Sequence, residues 1–223
     1  MTTRPSLALR ASQHAALGDP VRLAIADELV HSDRAPVELC ERFGLESNLL
    51  SHHLDVLEAA ALIGRSRSSG DGRRRYVHLL PGAFALLGPV VVPVPRRTVF
   101  VCTANSARSQ LAAALWNSRT EGGATSAGTH PAEQVHHGAV VAGRRAGVEL
   151  GTGQPRLLHQ REVRGARVVT VCDRAHEELG DRPDWLHWSV PDPVPVGTAA
   201  AFDATVQELA ERIDRLAGRE AGA

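Results

Sequence analysis

The residues best suited to chemistry are Cys102 and Arg108, with Thr103, Ala104, Asn105, Ser106 and Ala107 between them. An apolar run, Thr98-Val-Phe-Val101, leads into them, and Ser109-Gln110 and a stretch of helix formers from Leu111 to Trp116 follow. That order predicts a buried strand, a tight loop and a helix N-terminus. Such a loop points several backbone N–H groups at one spot, backed by the positive end of the helix dipole. A thiol and a guanidinium then face one tetrahedral oxyanion, and the small residues between them let backbone approach it closely. The same field favours thiolate over thiol, so Cys102 is expected to act as a nucleophile. Asp192 is the natural proton donor. It sits in Trp188-Ser-Val-Pro191-Asp192-Pro193, where a proline on each side holds its backbone. Trp188 is expected to keep water from Asp192 and so raise its pKa. No metal site is expected.

Composition limits what surrounds this loop. The chain has 223 residues, room for one large domain or two small ones. No apolar run approaches the ~20 residues that a membrane span requires, and Met-Thr-Thr-Arg-Pro lacks the layout of a signal peptide. Three cysteines, Cys40, Cys102 and Cys172, are too few for a disulfide scaffold. In a reducing cytoplasm, the expected location, they read as chemistry or core. All 25 basic residues are arginine, and the formal net charge is zero. Any attraction to DNA must therefore come from local charge.

Two halves are expected, residues 1–88 and 98–218, joined over 89–97 by a connector in which Pro89, Pro93 and Pro95 rule out helix. The first half reads as mostly helical. Asp19-Pro20 caps a helix running to about Leu29, and Pro36 to Phe43 forms a short helix that Gly44 stops. Ser47 is placed to cap a longer helix from Asn48 to Ala61, with Leu50, Leu54, Leu57 and Ala61 on one face. Short helix, glycine turn and longer helix make a helix-turn-helix. The face opposite the leucines carries Asn48, Ser51, His52 and Asp55, groups that fit a major groove, and Ser47 and His53 are taken with them as DNA-binding candidates. Two short strands then flank a Gly-Asp-Gly turn with Arg65, Arg67, Arg73, Arg74 and Arg75, a hairpin suited to phosphate contacts. A helix-turn-helix followed by a basic hairpin is a winged helix.

Leu17-Gly-Asp-Pro-Val-Arg-Leu23, Glu38-Leu-Cys40, Leu50-Ser-His-His-Leu-Asp-Val-Leu57 and the arginine-rich wing resemble the ArsR/SmtB family of metalloregulatory repressors over residues 10 to 82. The resemblance implies a homodimer through this half, a double-stranded DNA operator, and release when an inducer binds. One arsenic-sensing branch carries two or three cysteines here. Cys40 matches the first, but Arg42 stands where the second belongs, so Cys40 reads as a half-buried core cysteine.

In the second half, strands alternate with helices. Ala124 to Thr129 reads as strand and turn, Gln134 to Ala146 as helix, and Arg167-Val-Val-Thr-Val-Cys172-Asp173 as a second apolar strand meeting a polar turn. Phe202, Val206, Leu209, Ile213 and Leu216 form the stripe of a closing helix. This alternation implies an open parallel sheet with helices on both faces and ligands at the carboxyl ends of the strands, where Cys102 and Cys172 both fall.

Val101-Cys-Thr-Ala-Asn-Ser-Ala-Arg-Ser-Gln110, Ser126-Ala-Gly128, Gly147-Val-Glu149 and His187-Trp-Ser-Val-Pro-Asp-Pro193 are similar to the low-molecular-weight phosphotyrosine phosphatase superfamily, and within it to arsenate reductases. The resemblance implies a doubly wound α/β domain of the phosphotyrosine phosphatase I type, with a four-stranded parallel sheet. It makes Cys102 the nucleophile and Arg108 the oxyanion ligand. Asn105 shapes the loop, Ser109 supports the thiolate and Asp192 is the general acid. The aromatic residues with which tyrosine phosphatases grip a substrate ring are replaced by Val194-Pro195-Val196. In the resembling thioredoxin-coupled reductases a second and a third cysteine complete the electron relay. Cys172 stands in the second place, where it reads equally as a redox thiol or a packed strand-end cysteine, and Leu179 stands near the third. The expected reductant is therefore external and not a bound cofactor: mycothiol with mycoredoxin, glutathione with glutaredoxin, or thioredoxin. The leading reading is an arsenate reductase fused to a DNA-binding regulator. The alternatives are a cysteine-dependent phosphatase and a repressor that senses an oxyanion without turnover.

Overall fold

The computed structural model describes residues 6–87, 97–150 and 153–218. Apart from Arg97, the connector expected over 89–97 lies outside the described residues. The chain divides into two units. One holds the described residues through Arg67 together with Arg73–Leu87, and the other holds Ser68–Gly72 and the described residues from Arg97 onward.

The first unit opens with α1 (Leu7–Leu17), which the sequence pattern does not announce. Its buried residues are Gln13 and Ala16 while Leu7 is exposed, so no apolar stripe marks it. In α2 (Pro20–Leu29) the Asp19 carboxylate accepts from the N–H groups of Val21 and Arg22, both at 3.0 Å, and Pro20 fills a position where no amide hydrogen is needed. In α3 (Pro36–Phe43) Glu38 reaches back to the Ala35 N–H, and Gly44 ends the helix at φ 63°, the left-handed conformation that glycine adopts without steric cost. Leu50, Leu54 and Leu57 of α4 (Ser47–Ala59) are buried with Ile25, Ala26, Leu29 and Leu39. The expected Ser47 cap is absent. Glu46 occupies the cap position without a side-chain bond, and Ser47 is the first helical residue. β1 (Ile63–Arg67) and β2 (Arg75–Leu79) pair antiparallel, Ile63 opposite Leu79 and Arg67 opposite Arg75. Arg34 joins their edge through two backbone hydrogen bonds with Val77, and α5 (Phe84–Leu87) follows.

In the second unit β3 (Arg97–Cys102), rich in β-branched and aromatic residues, runs at the centre of the sheet. α6 (Arg108–Arg119) leads to β4 (Gly123–Gly128), and α7 (His137–Arg145) and α8 (Gln160–Val163) lead to β5 (Arg167–Thr170). Then come α9 (Asp173–Leu179), β6 (Leu186–His187), α10 (Pro193–Val196) and α11 (Ala199–Leu216). The sheet order is β4-β3-β5-β6, all parallel. β6 has two residues, too few for a periodic signal, so nothing in the sequence predicts it. α7 starts at His137 rather than Gln134 because the chain before it is committed to the loop after β3. The apolar stripe of α11 is buried as expected.

Phe100 packs between Trp116, at 5.9 Å between ring centroids, and Trp188, at 5.8 Å. Trp188 is therefore a core residue, which corrects its expected place as a water shield over Asp192. Asn117 pins α6 to β4 by bonding both the N–H and the carbonyl of Ala124. Among the described residues no helix is long and apolar enough to cross a membrane. Phe100→Ala is expected to destabilise this unit by about 3–5 kcal/mol through lost burial and the cavity left behind. All three tryptophans lie in this unit. Intrinsic fluorescence during urea unfolding therefore reads the effect as a lowered midpoint of its own transition.

Candidate active site

β3 delivers Cys102 to the carboxyl edge of the sheet, and the chain turns through 103–107 before α6 begins at Arg108. Asn105 takes the left-handed conformation, φ 50°, which an Asx residue tolerates better than most. The next segment then ties the loop down. Thr129 N–H donates to the Cys102 carbonyl, His130 N–H to Thr103, Ala132 N–H to Ala104 and His136 N–H to Ser106. Gln110 Nε2 covers the Asn105 carbonyl. These bonds hold the loop carbonyls outward, and in a trans peptide the following N–H points the other way, into the loop. The amides of the first turn of α6 add to that hollow, because Ala107 has no side chain to cap them. The segment approaches so closely that a Cβ on Gly128 would lie 2.5 Å from the Thr103 carbonyl oxygen. Only glycine fits there.

The Cys102 thiol, 3 % exposed, accepts from the Asn105 N–H at 3.2 Å and lies 3.0 Å from Ser109 Oγ. The Ser109 hydroxyl is itself held by Asn105. Asn105 Oδ1 accepts from Arg156 N–H and Gln110 Nε2, so the amide nitrogen of Asn105 faces Ser109 and donates to its oxygen at 2.8 Å. Once Cys102 is a thiolate it can only accept, and the Ser109 hydroxyl then donates to it. Arg108 is held by the Val190 carbonyl at 2.9 Å and the Asp192 carboxylate at 2.8 Å. Asp192 also caps α10 through the Val194 N–H, and its side chain is 36 % exposed, not shielded as the sequence led us to expect. Its carboxylate is thus open to water while it pairs with Arg108.

Cys172 joins the site from the adjacent strand. It is the N-cap of α9 and 1 % exposed, and its sulfur accepts from the Thr103 N–H at 3.2 Å and the Ala175 N–H at 3.4 Å, with Thr103 Oγ1 at 3.3 Å. Burial pushes its thiol above the ordinary range, and the Arg108 charge opposes that rise. Cys102, Arg108, Cys172 and Asp192 thus converge. Residues 129–136, Gln110 and Arg156 also build the site, and sequence reasoning does not find them because their contribution is backbone or amide geometry that no residue type advertises.

The DNA-binding candidates divide. Ser47, Asn48, Ser51 and His52 are exposed on α4, and Arg67, Arg73, Arg74 and Arg75 are exposed on the hairpin. His53 is not available: it is 7 % exposed and its ring faces Asp19, 3.9 Å away. Arg65 is engaged by Asp55 at 2.6 Å and Glu58 at 3.3 Å, so it and Asp55 neutralise one another. Cys40 is half-buried against the apolar core of its unit.

The sequence model of the low molecular weight phosphotyrosine protein phosphatases matches residues 97–221. The chain belongs to that family. It is 32 % identical over 134 residues to an arsenate reductase of Bacillus licheniformis, a match covering 53 % of this chain and 92 % of the relative. Among solved structures, a YwlE arginine phosphatase from Geobacillus stearothermophilus is similar at 27 % identity and TM-score 0.49, over 55 % of this chain and 91 % of the other. An arsenate reductase from Archaeoglobus fulgidus is similar at 26 % identity and TM-score 0.48, over 55 % and 99 %. A cysteine-based enzyme is the coarse reading that this family membership carries.

Within this family member, Arg108→Lys keeps the charge but loses the planar fork that spans Val190 and Asp192. One charged hydrogen bond contributes about 1.5–3 kcal/mol. Affinity for orthovanadate is therefore expected to fall by ~10- to 150-fold, measurable by equilibrium titration with unchanged circular dichroism.

Proposed function

We propose that this chain is an arsenate reductase joined to a DNA-binding regulator domain. The observation that carries the reductase reading is the Cys172 sulfur, held against Thr103, the residue next to the nucleophile. Hydrolysis of a phosphate ester needs one cysteine, whereas reduction of As(V) needs two electrons, which a pair of thiols supplies.

Arsenate binds in the loop, facing inward N–H groups and Arg108. The Cys102 sulfur attacks arsenic and Asp192 gives its proton to the departing oxygen, which leaves as water. The Cys172 thiol then passes its proton to an oxygen of the arsenic adduct as its sulfur attacks the Cys102 sulfur. An S–S bond forms, the S–As bond breaks, and its electron pair stays on arsenic, which leaves as arsenite, As(III). Leu179, near the place of a third cysteine in the resembling reductases, is a partly buried core residue with no redox chemistry. Mycothiol with mycoredoxin, glutathione with glutaredoxin, or thioredoxin must therefore clear the disulfide. The second reading, a phosphatase, rests on the sufficiency of Cys102, Arg108 and Asp192 for ester hydrolysis. Pro195 and Val196 beyond Asp192 are exposed and offer no aromatic clamp.

The regulator reading rests on the order α3, Gly44 turn, α4 and arginine-rich hairpin, together with the exposed polar face of α4. In it the unit is a winged helix of the ArsR/SmtB type, dimeric and bound to an operator in the cytoplasm.

Purified protein given arsenate and each thiol system is expected to release arsenite. Cys102→Ser should abolish release, and Cys172→Ser should reduce it with every donor. Arsenite-free hydrolysis of p-nitrophenyl phosphate that depends on Cys102 would instead establish the phosphatase. For the other unit, replacing Arg73, Arg74 and Arg75 together by alanine is expected to weaken DNA binding at all sequences. The slope of log affinity against log salt should flatten by ~0.9 for each phosphate that the variant no longer neutralises. An unchanged slope in fluorescence anisotropy would remove the wing from the interface.

A further inference from the structure

Beneath Cys172 lies a chain of polar groups that the reaction as written does not use. Thr170, Asp173, His176 and His187 are all buried, and His187 has no exposed surface. His187 Nδ1 is 2.9 Å from Thr170 Oγ1, and His187 Nε2 is 3.1 Å from Asp173 Oδ1. The His176 ring lies nearly parallel over that of His187, 4.1 Å between centroids and 12° between planes. Burial opposes ionisation of Asp173, but the hydrogen bonds it accepts, led by that from His187, outweigh burial and hold the carboxyl below its ordinary range. An ionised carboxylate only accepts, so His187 Nε2 carries the hydrogen. Hydroxyl, imidazole and carboxylate stand in the order of a nucleophilic triad, yet no substrate reaches a fully buried hydroxyl. Whatever the chain does, it does through the groups it holds.

Besides Ser69, whose N–H and hydroxyl donate to Asp173 Oδ2 at 2.7 and 3.1 Å, those groups are the two sides of the Cys172 turn. Thr170 ends β5, two residues before the cysteine, and Asp173 opens α9, one residue after it. Neighbouring β6 supplies His187, whose backbone is in register with Thr170. The imidazole therefore spans the turn from strand end to helix start, clamped from the side by its own strand. We propose that Asp173 and His187 are positioning residues for the second nucleophile: they fix the β5–α9 turn so that the Cys172 sulfur stays in line with Cys102. Thr103 holds the sulfur from the loop side, and this pair holds the backbone that carries it. The proposal rests on the reductase reading for its role in turnover, but the geometry it describes does not need arsenic.

The test uses the full-length protein without external thiol. Arsenate is added, the protein is denatured at intervals, and its thiols are counted. In the wild type the three thiols fall to one as Cys102 and Cys172 form a disulfide and one arsenite leaves. Asp173→Asn preserves shape and removes the charge. His187→Phe preserves the ring over His176 and removes both hydrogen bonds. Both variants are expected to lose thiols about 10- to 100-fold more slowly, the scale set by small misplacements of reacting groups. The arsenate concentration giving half the maximal rate should stay unchanged, because Cys102 and its loop are untouched. His187→Gln, which keeps a donor for Asp173, should recover part of the rate. Wild-type rates in Asp173→Asn and His187→Phe would overturn the proposal, as would parallel loss of rate and arsenate affinity, the mark of general disruption. Diamide, which couples neighbouring thiols without arsenate, separates this proposal from the reductase reading. If arsenate leaves wild-type thiols intact while diamide joins them quickly in the wild type and slowly in the variants, reduction fails and the positioning role stands. Equal diamide rates in all forms would overturn the positioning role alone.

Discussion

The second unit depends on one constraint: the carbonyls of residues 102 to 106 are turned outward and held there by hydrogen bonds from Gln110 and the segment 129–136. Peptide planarity does the rest. With the carbonyls fixed outside, the amides between them must point inward, and the loop becomes a ring of donors before any anion arrives. Preorganisation of this kind removes the reorganisation that water would need to solvate the same charge. It also explains the absolute demand for glycine at 128, where the tying segment leaves the sheet against the loop backbone.

Two sulfurs occupy that ring in different ways. Cys102 meets Asn105 N–H and the Ser109 hydroxyl, whose oxygen accepts from the Asn105 amide behind it. Cys172 takes the amide of Thr103, but burial holds it toward the neutral thiol. Both sulfurs lie against the backbone of the same loop. The parallel pairing of β3 with β5 brings this about, since it ends both strands at the same edge of the sheet.

The first unit shows how local charge is apportioned in a chain whose net charge is zero. Arg65 is spent on Asp55 and Glu58, and Arg34 and Arg42 share Glu28, while Arg67 and the run Arg73 to Arg75 stay on the surface of the hairpin. Four exposed arginines are thus gathered on that one hairpin.

Much of this was legible from residue order. A strand, small residues between a cysteine and an arginine, and a helix can fold locally in few ways, and Asp19-Pro20, Gly44 and the α11 stripe announce their elements by short-range rules. The sequence alone therefore determined the strand, loop and helix that carry Cys102 and Arg108, and the order α2, α3, α4 of the first half. Tertiary structure decided the rest, because it turns on which distant groups meet. Adjacency to His52 grouped His53 with the DNA-binding candidates, but packing put it against Asp19. Adjacency suggested Trp188 as a shield for Asp192, but the aromatic core of Phe100 and Trp116 claimed it, and Arg108 took the carboxylate. α1 and β6 carry too little periodicity to be read, and their positions come from contacts made elsewhere. The pairing of Thr103 with Cys172 and of His187 with Asp173 joins residues from separate strands. Hydrogen bonds across strands depend on register and sheet order, and neither is written in the local pattern of either segment.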